Sequence, residues 1–342
     1  MAVVTGSQTA TGLEILNALP DGILDCGARD LHLLLSGPTL IELEGNSKPP
    51  LFVSILQHGN EDSGLGAVQR VLRDYHRRLI PRSLMLLIGN VDAARFGLRR
   101  LESQPDYNRV WPGTPDHGDA AEGRIMAAVH TRVIERRAFA AIDLHNNTGR
   151  NPHYGVICNL HPSTLGLAAL FSRHVVVFRG VRGTQTASLS GLIPAMTAEC
   201  GRPGEAANAE AAARLVEAVL KLDALPELSS SDGGIDLFHT LGVVRVRKDV
   251  SFCFGEGDSE LRLDPALDDK NFRELKPGIV LGETSHPMPL EMIDEAGNDV
   301  AESFFERGEG RLRLRRTVVP AMFTLDPLIV RQDCLCYLMT RF

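Results

Sequence analysis

Five short, mainly apolar runs recur along the chain: Leu51–Leu56, Leu84–Ile88, Phe139–Leu144, His174–Phe178 and Ala195–Ala198. A strand with one wet face alternates apolar with polar residues, whereas a near-continuous apolar run must be covered on both faces. Between these runs lie stretches of helical character: Leu65–Leu79, ended by Pro81, then Ala120–Arg137, and the Ala-rich Glu205–Leu220. Strands that alternate with helices predict a mostly parallel mixed sheet with helices on both sides, a three-layer α/β/α domain.

That pattern stops at Leu225–Gly234, where Ser, Gly and Pro cluster as in a linker. Beyond it come short β-type runs: Leu241–Val246, Ser251–Phe254, Gly278–Leu281, Arg311–Leu314 and Leu328–Val330. Turn residues break them and helix-length patterns are scarce, so a smaller all-β domain is expected. For a chain of 342 residues the reading is two domains, 1–225 and 235–342. Cys334 and Cys336, two apart in an apolar stretch, are expected on one face of a strand, as core.

Composition excludes several functions. Against 36 Lys and Arg stand 43 Asp and Glu, a formal net charge of −7. Phosphate backbones and anionic membrane surfaces require the opposite balance, so neither nucleic acid nor membrane is an expected partner. A single Trp leaves no stacking platform for single strands. The six Cys show no C-x-x-C spacing, which disfavours a zinc knuckle or a disulfide framework. Met1–Thr5 lacks a basic leader segment, and no apolar run approaches the ~18 residues of a membrane span. A cytoplasmic protein is expected, with homo-oligomerisation left open.

Three features fall just after predicted parallel strands, where open α/β sheets place their sites. His58 and Glu61 occupy a turn between a strand and a helix and can converge on one ion. Zinc favours imidazole nitrogen and carboxylate oxygen, and catalytic sites use three protein ligands. Taken alone, the pair reads as a helix-start Glu beside a capping turn. His145 ends the strand Phe139–Leu144 and completes a His-Glu-His set; Asp143 is expected to share its side only if the strand has already broken. Glu199 leaves an apolar strand just before Gly201, well placed for a base that takes a proton and returns it. Its plainer reading is a salt-bridged Glu near the Ala-rich helix.

Arg99, Arg100 and the segment Asp106-Tyr107-Asn108-Arg109 lie in a polar loop between these features. A guanidinium can grip a carboxylate with two parallel hydrogen bonds, although Arg-rich loops are often only solvated.

The ordered set His58-x-x-Glu61, Gly89-Asn90, Arg100-Leu-Glu102, Asn108-Arg109, Asp143-Leu-His145 and Glu199-Cys-Gly201 resembles the succinylglutamate desuccinylase/aspartoacylase branch of the zinc carboxypeptidase family. Motif detail covers about residues 50–210, and Leu275–Leu281 is similar to part of that branch's small β domain. The resemblance implies a zinc-carboxypeptidase-like fold with one Zn²⁺ per chain, held by His58, Glu61 and His145. It implies Glu199 as general base and then acid when metal-activated water attacks an amide carbonyl. Asn108 and Arg109 match the positions that hold the substrate carboxylate, and Arg100 matches the arginine that polarises the carbonyl.

The chain departs from the pattern in two places. One extra residue separates Arg100 from Asn108, and Leu189 stands where both named activities place an arginine, with Arg179 and Arg182 as nearby substitutes. His145-Asn-Asn-Thr148 is nearer the aspartoacylase pattern, while Arg150–Gly155 is nearer the desuccinylase one. The expected activity is therefore zinc-dependent hydrolysis of an N-acyl amino acid or similar small carboxylate-bearing amide. The alternatives are a carboxypeptidase acting on short peptides and a non-catalytic zinc- or ligand-binding relative. A β domain that caps the pocket would exclude long peptides.

Overall fold

The computed structural model describes residues 6–9, 11–76, 78–114, 119–230 and 233–342. Met1–Thr5, read above for a leader, and Ser231 and Asp232 of the linker lie outside the described residues. The chain forms two compact units. The first comprises residues up to Asn146, His153–Val175 and Val181–Ile235; the second comprises Asn147–Pro152, Val176–Gly180 and Asp236–Phe342. Among the described residues no helix is long and apolar enough to cross a membrane.

The strands up to the unit boundary are β1 (Gly6–Gln8), β2 (Glu14–Leu16), β3 (Thr39–Leu43), β4 (Gly45–Ile55), β5 (Ile80–Ile88), β6 (Ala140–His145), β7 (Tyr154–Ile157), β8 (His174–Val177) and β9 (Ala195–Glu199). The first unit's sheet runs β1-β2-β3-β5-β4-β6-β9-β7. Its centre, β5-β4-β6-β9, is parallel throughout, and antiparallel pairs β3/β5 and β7/β9 flank it. The helices are α1 (Ser63–Asp74), α2 (Val91–Phe96), α3 (Ala121–Glu135), α4 (Pro162–Ala169), α5 (Gln185–Leu189) and α6 (Ala206–Lys221).

Side-chain alternation divides each central strand between two cores. On one face Phe52, Met85, Leu87 and Ala141 pack with Trp111 and with Met126, Val129 and Val133 of α3. On the other, α1 presses so closely that a Cβ added to Gly64 would lie 2.8 Å from Ile55 Cγ2. The sheet is thus buried between helices, as the continuous apolar runs require. α1 ends at Asp74, short of the expected Leu79, and Pro81 lies inside β5, near its start, where a missing N–H is tolerated.

The second unit contains β10 (Asp236–Val246), β11 (Phe252–Phe254), β12 (Leu261–Leu263), β13 (Val280–Thr284), β14 (Leu290–Ile293), β15 (Phe305–Gly308), β16 (Arg311–Leu314), β17 (Val319–Ala321) and β18 (Cys336–Arg341). It also holds the short helices α7 (Ala301–Phe304) and α8 (Pro327–Gln332). A five-stranded sheet runs β11-β12-β13-β16-β15, while β10 pairs antiparallel with β14 and β18. Val244, Leu263, Phe305, Leu312 and Leu338 share one core.

The strand expected at Leu328–Val330 is not formed, and Cys334 and Cys336 do not share one. Leu328–Val330 is part of α8, because Pro327 stands in its first turn and Asp326 accepts hydrogen bonds from the amides of Leu328 and Ile329. Cys334 precedes β18 while Cys336 opens it, so the two do not share a strand, although both are buried.

Candidate metal centre

Parity along the strands builds one side of the site. β6 continues unbroken to His145, so Asp143 and His145, two apart, share a face without any break; the expectation that the strand must end first is wrong. Neighbouring strands are in register, with Ser54 beside Asp143, Asp143 beside Thr197, and His145 beside Glu199. The face that carries Phe52 and Ala141 in its apolar lower part therefore carries Ser54, Asp143, Thr197, His145 and Glu199 toward the carboxyl ends of the strands.

The turn after β4 supplies the other side. Leu56 is fully buried with a left-handed φ of 53°, a conformation that costs a non-glycine residue about 1–3 kcal/mol. Its carbonyl accepts from Asn90 N at 2.6 Å, and Ile55 O accepts from Gly89 N at 3.0 Å, so the next loop holds the bend. Gly59 then passes against α2 where a Cβ would stand 2.2 Å from Ala94 N. Only glycine permits this approach, which brings His58 and Glu61 toward the end of β6.

His58, Glu61 and His145 offer ligand atoms within 4.8 Å of one another, and all three residues are buried. His58 Nδ1 lies 2.8 Å from Glu61 Oε1, and His145 Nδ1 lies 2.7 Å from Glu61 Oε2. The opposite nitrogens face carboxylates: His58 Nε2 is 2.9 Å from Asp106 Oδ1, and His145 Nε2 is 2.9 Å from Asp143 Oδ2. A carboxylate behind an imidazole is the usual support of a metal-ligating histidine. The donor set thus fits a divalent cation of the kind that accepts nitrogen and oxygen.

Charge in the cluster is strongly coupled. Burial and the Arg99 guanidinium oppose a charged His58, yet Asp106 and Glu61 outweigh them and raise its pKa. Burial likewise opposes a charged His145, and Asp143 and Glu61 raise it well above the usual imidazole range. Burial pushes Glu61 up, but the two imidazoles bring it far below the carboxylate range. Burial first, and then the carboxylates of Glu199, Glu61 and Asp143, push up the Cys200 thiol. Those three acids are themselves buried, a surrounding that suits a cation.

The structure treats the loop arginines differently from one another. Arg100 Nη1 donates to Leu101 O at 3.3 Å and Gln104 O at 2.8 Å, within its own loop. Arg99 instead reaches the acids: its Nη2 donates to Asp106 Oδ2 at 3.0 Å, and Nη1 lies 3.7 Å from Glu61 Oε1. Asn108 Nδ2 is 3.2 Å from His145 Nε2, and Asn108 Oδ1 accepts from Gln185 N at 3.2 Å. Arg109 Nη1 donates to Asn108 O at 2.8 Å. Leu189 is fully buried in the core around Trp111, while Arg179 and Arg182 are exposed. The supporting parts played by Arg99, Asp106 and Ser54 escaped the sequence reading. Ser54 had a signal, a lone hydroxyl inside the otherwise apolar run Leu51–Leu56.

A His-Glu-His group at the carboxyl ends of a mainly parallel sheet marks the chain as an α/β protein with a potential metal centre. The chain belongs to the succinylglutamate desuccinylase/aspartoacylase catalytic-domain family, whose model matches residues 48–223. No curated protein matches significantly. Among solved structures, succinylglutamate desuccinylase from Vibrio cholerae is similar at a TM-score of 0.59 and 14% identity, over 99% of this chain and 91% of that one. The Chromobacterium violaceum succinylglutamate desuccinylase gives 0.57 at 17% identity, over 89% and 88%. Murine aminoacylase 3 gives 0.53 at 18% identity, over 86% and 97%. At these identities the likeness concerns the fold.

Proposed function

We propose that the protein is a zinc-dependent hydrolase that cleaves the amide bond of an N-acyl amino acid or a similar small carboxylate-bearing substrate. One observation carries the reading: two imidazoles turn Nδ1 toward a single carboxylate while a further carboxylate, Glu199, stands in register beside His145. His58, Glu61 and His145 would hold the ion. When bound, zinc supplies Lewis acidity, lowering the pKa of water and polarising a carbonyl.

The remaining roles belong to side chains. Glu199 takes the proton of the attacking water and returns it to the leaving nitrogen. Asn108 and Arg109 bind the substrate carboxylate, the latter in bidentate fashion. Arg100 leaves its loop carbonyls to stabilise the developing oxyanion. The relatives named as desuccinylases and an aminoacylase support hydrolysis of acyl–nitrogen bonds.

A hydrolysis screen with Zn²⁺ present tests this, comparing N-acetyl, N-succinyl and N-formyl amino acids with short peptides. Turnover of an N-acyl amino acid is expected. Turnover confined to the peptides would make the protein a carboxypeptidase, and none at all, with zinc bound, would make it a ligand-binding relative.

A further inference from the structure

One buried hydrogen-bond chain behind the donor set is not used by the reaction above. Trp111, the single tryptophan, is fully buried, and its Nε1–H donates to Gln57 Oε1 at 2.6 Å. Gln57 Nε2 donates to Asp143 Oδ2 at 2.7 Å, the same oxygen that lies 2.9 Å from His145 Nε2. Ser54 Oγ lies 2.6 Å from the other oxygen, Asp143 Oδ1, and also against Gln185 Oε1, so its one hydrogen has two acceptors. Gln57 is 1% exposed and Asp143 0%, so water does not compete for these bonds.

The polarity of this chain runs one way. An indole N–H can only donate, which turns the Gln57 carbonyl toward Trp111 and its NH₂ toward Asp143. Asp143, receiving the Gln57 N–H, is kept as an acceptor. The hydrogen between Asp143 and His145 must then sit on Nε2. Ligation of a cation requires an imidazole with one N–H, so with Nε2 protonated the lone pair then falls on Nδ1, the atom placed 2.7 Å from Glu61 Oε2. Asn108 Nδ2, at 3.2 Å from His145 Nε2, is the longer contact and does not displace the carboxylate. His58 is supported differently: Asp106 draws its donors from Arg99 and from the Asn108 amide.

We propose that Trp111 and Gln57 are positioning residues for His145, setting its tautomer and ring orientation through Asp143 so that Nδ1 is presented to the metal. This rests on the metal reading above, and the test separates the two. Zinc affinity of the metal-stripped full-length protein is measured by competition with a chromophoric chelator for wild type, Gln57→Met and Trp111→Phe. Binding is expected to weaken roughly 10- to 100-fold in each variant. A purely structural role would lower the unfolding midpoint of the stripped variants yet leave zinc affinity unmoved, and that result overturns the proposal.

A second measurement needs no variant. Because the chain has one tryptophan, emission excited at the red edge, where its four tyrosines do not absorb, reports on Trp111 alone. Stoichiometric zinc is expected to shift that emission, and an unchanged spectrum on a fully loaded protein also overturns the coupling. If the wild type binds no zinc, the metal reading itself fails; normal wild-type binding with unaffected variants removes only the positioning role.

Discussion

Glu199 is the direct cross-strand neighbour of His145 in the parallel pair β6/β9. Adjacent strands lie about 4.8 Å apart, and residues in register project from the same face. The proposed base is therefore set beside a proposed ligand by the sheet, and on its other side Glu199 is in register with buried Tyr154.

Replacing Glu199 with Gln should separate chemistry from metal binding. The amide keeps the shape but cannot accept the proton, so kcat should fall by roughly 10²–10⁴. Zinc content, measured by atomic emission, should stay at the wild-type level. Normal turnover by Glu199→Gln would place the base elsewhere.

Zinc should co-purify near one per chain, and His58→Ala or His145→Ala should abolish it. Each histidine provides one Nδ1 to the shared Glu61 carboxylate, so the loss of either leaves too few donors. Full metal content in both variants would refute the ligand set.

Arg99 and Arg100 should behave oppositely despite being neighbours. Arg99→Ala removes the guanidinium that lies against Asp106 and Glu61, and breaking such a buried pair costs about 3–5 kcal/mol of folding stability. Arg100→Ala loses only bonds to its own loop in the free protein, so stability should hold while kcat falls roughly 10²–10³-fold. Urea unfolding and steady-state kinetics on both variants distinguish these outcomes. A stable Arg99→Ala, or an Arg100→Ala with wild-type kcat, would contradict the assignment.

Away from the site, Glu42 of β3 is gripped by Arg132 at 2.7 Å and Arg136 at 2.5 Å. Burial acts to raise its pKa, but the hydrogen bonds from Arg132 and then Arg136 outweigh burial and lower it. A lowered folded pKa means stabilisation that is full above the unfolded carboxylate value, about 4.3, and is lost as pH falls through the folded value. Glu42→Gln should therefore lower the urea midpoint at pH 7, and the gap to wild type should close as the pH is taken below about 4. A gap that persists in acid would show that the ion pairs are not its source.

Long patterns were legible in the sequence. The continuous apolar runs announced β4, β5, β6 and β9, because burial on both faces leaves no room for polar alternation. His58 and Glu61 were legible from a strand end and a three-residue spacing, and the family resemblance joined His145 to them across 84 residues of chain. Asp106 was not, since it meets His58 across 48 residues of chain. Nor was α8, whose three apolar residues Leu328–Val330 are too few to show a period, although Asp326-Pro327 carried a helix-start signal.

The shared face of Ser54, Asp143 and His145 has a consequence for how this protein tolerates changes of length. Loops can gain or lose residues at little cost, because closing a longer loop adds little entropy. A single residue inserted or deleted within β6 before Asp143 would turn the following side chains through the sheet. Leu144 would then point toward Glu61, and His145 would be buried against α1. Function here depends on whether a count of residues is odd or even.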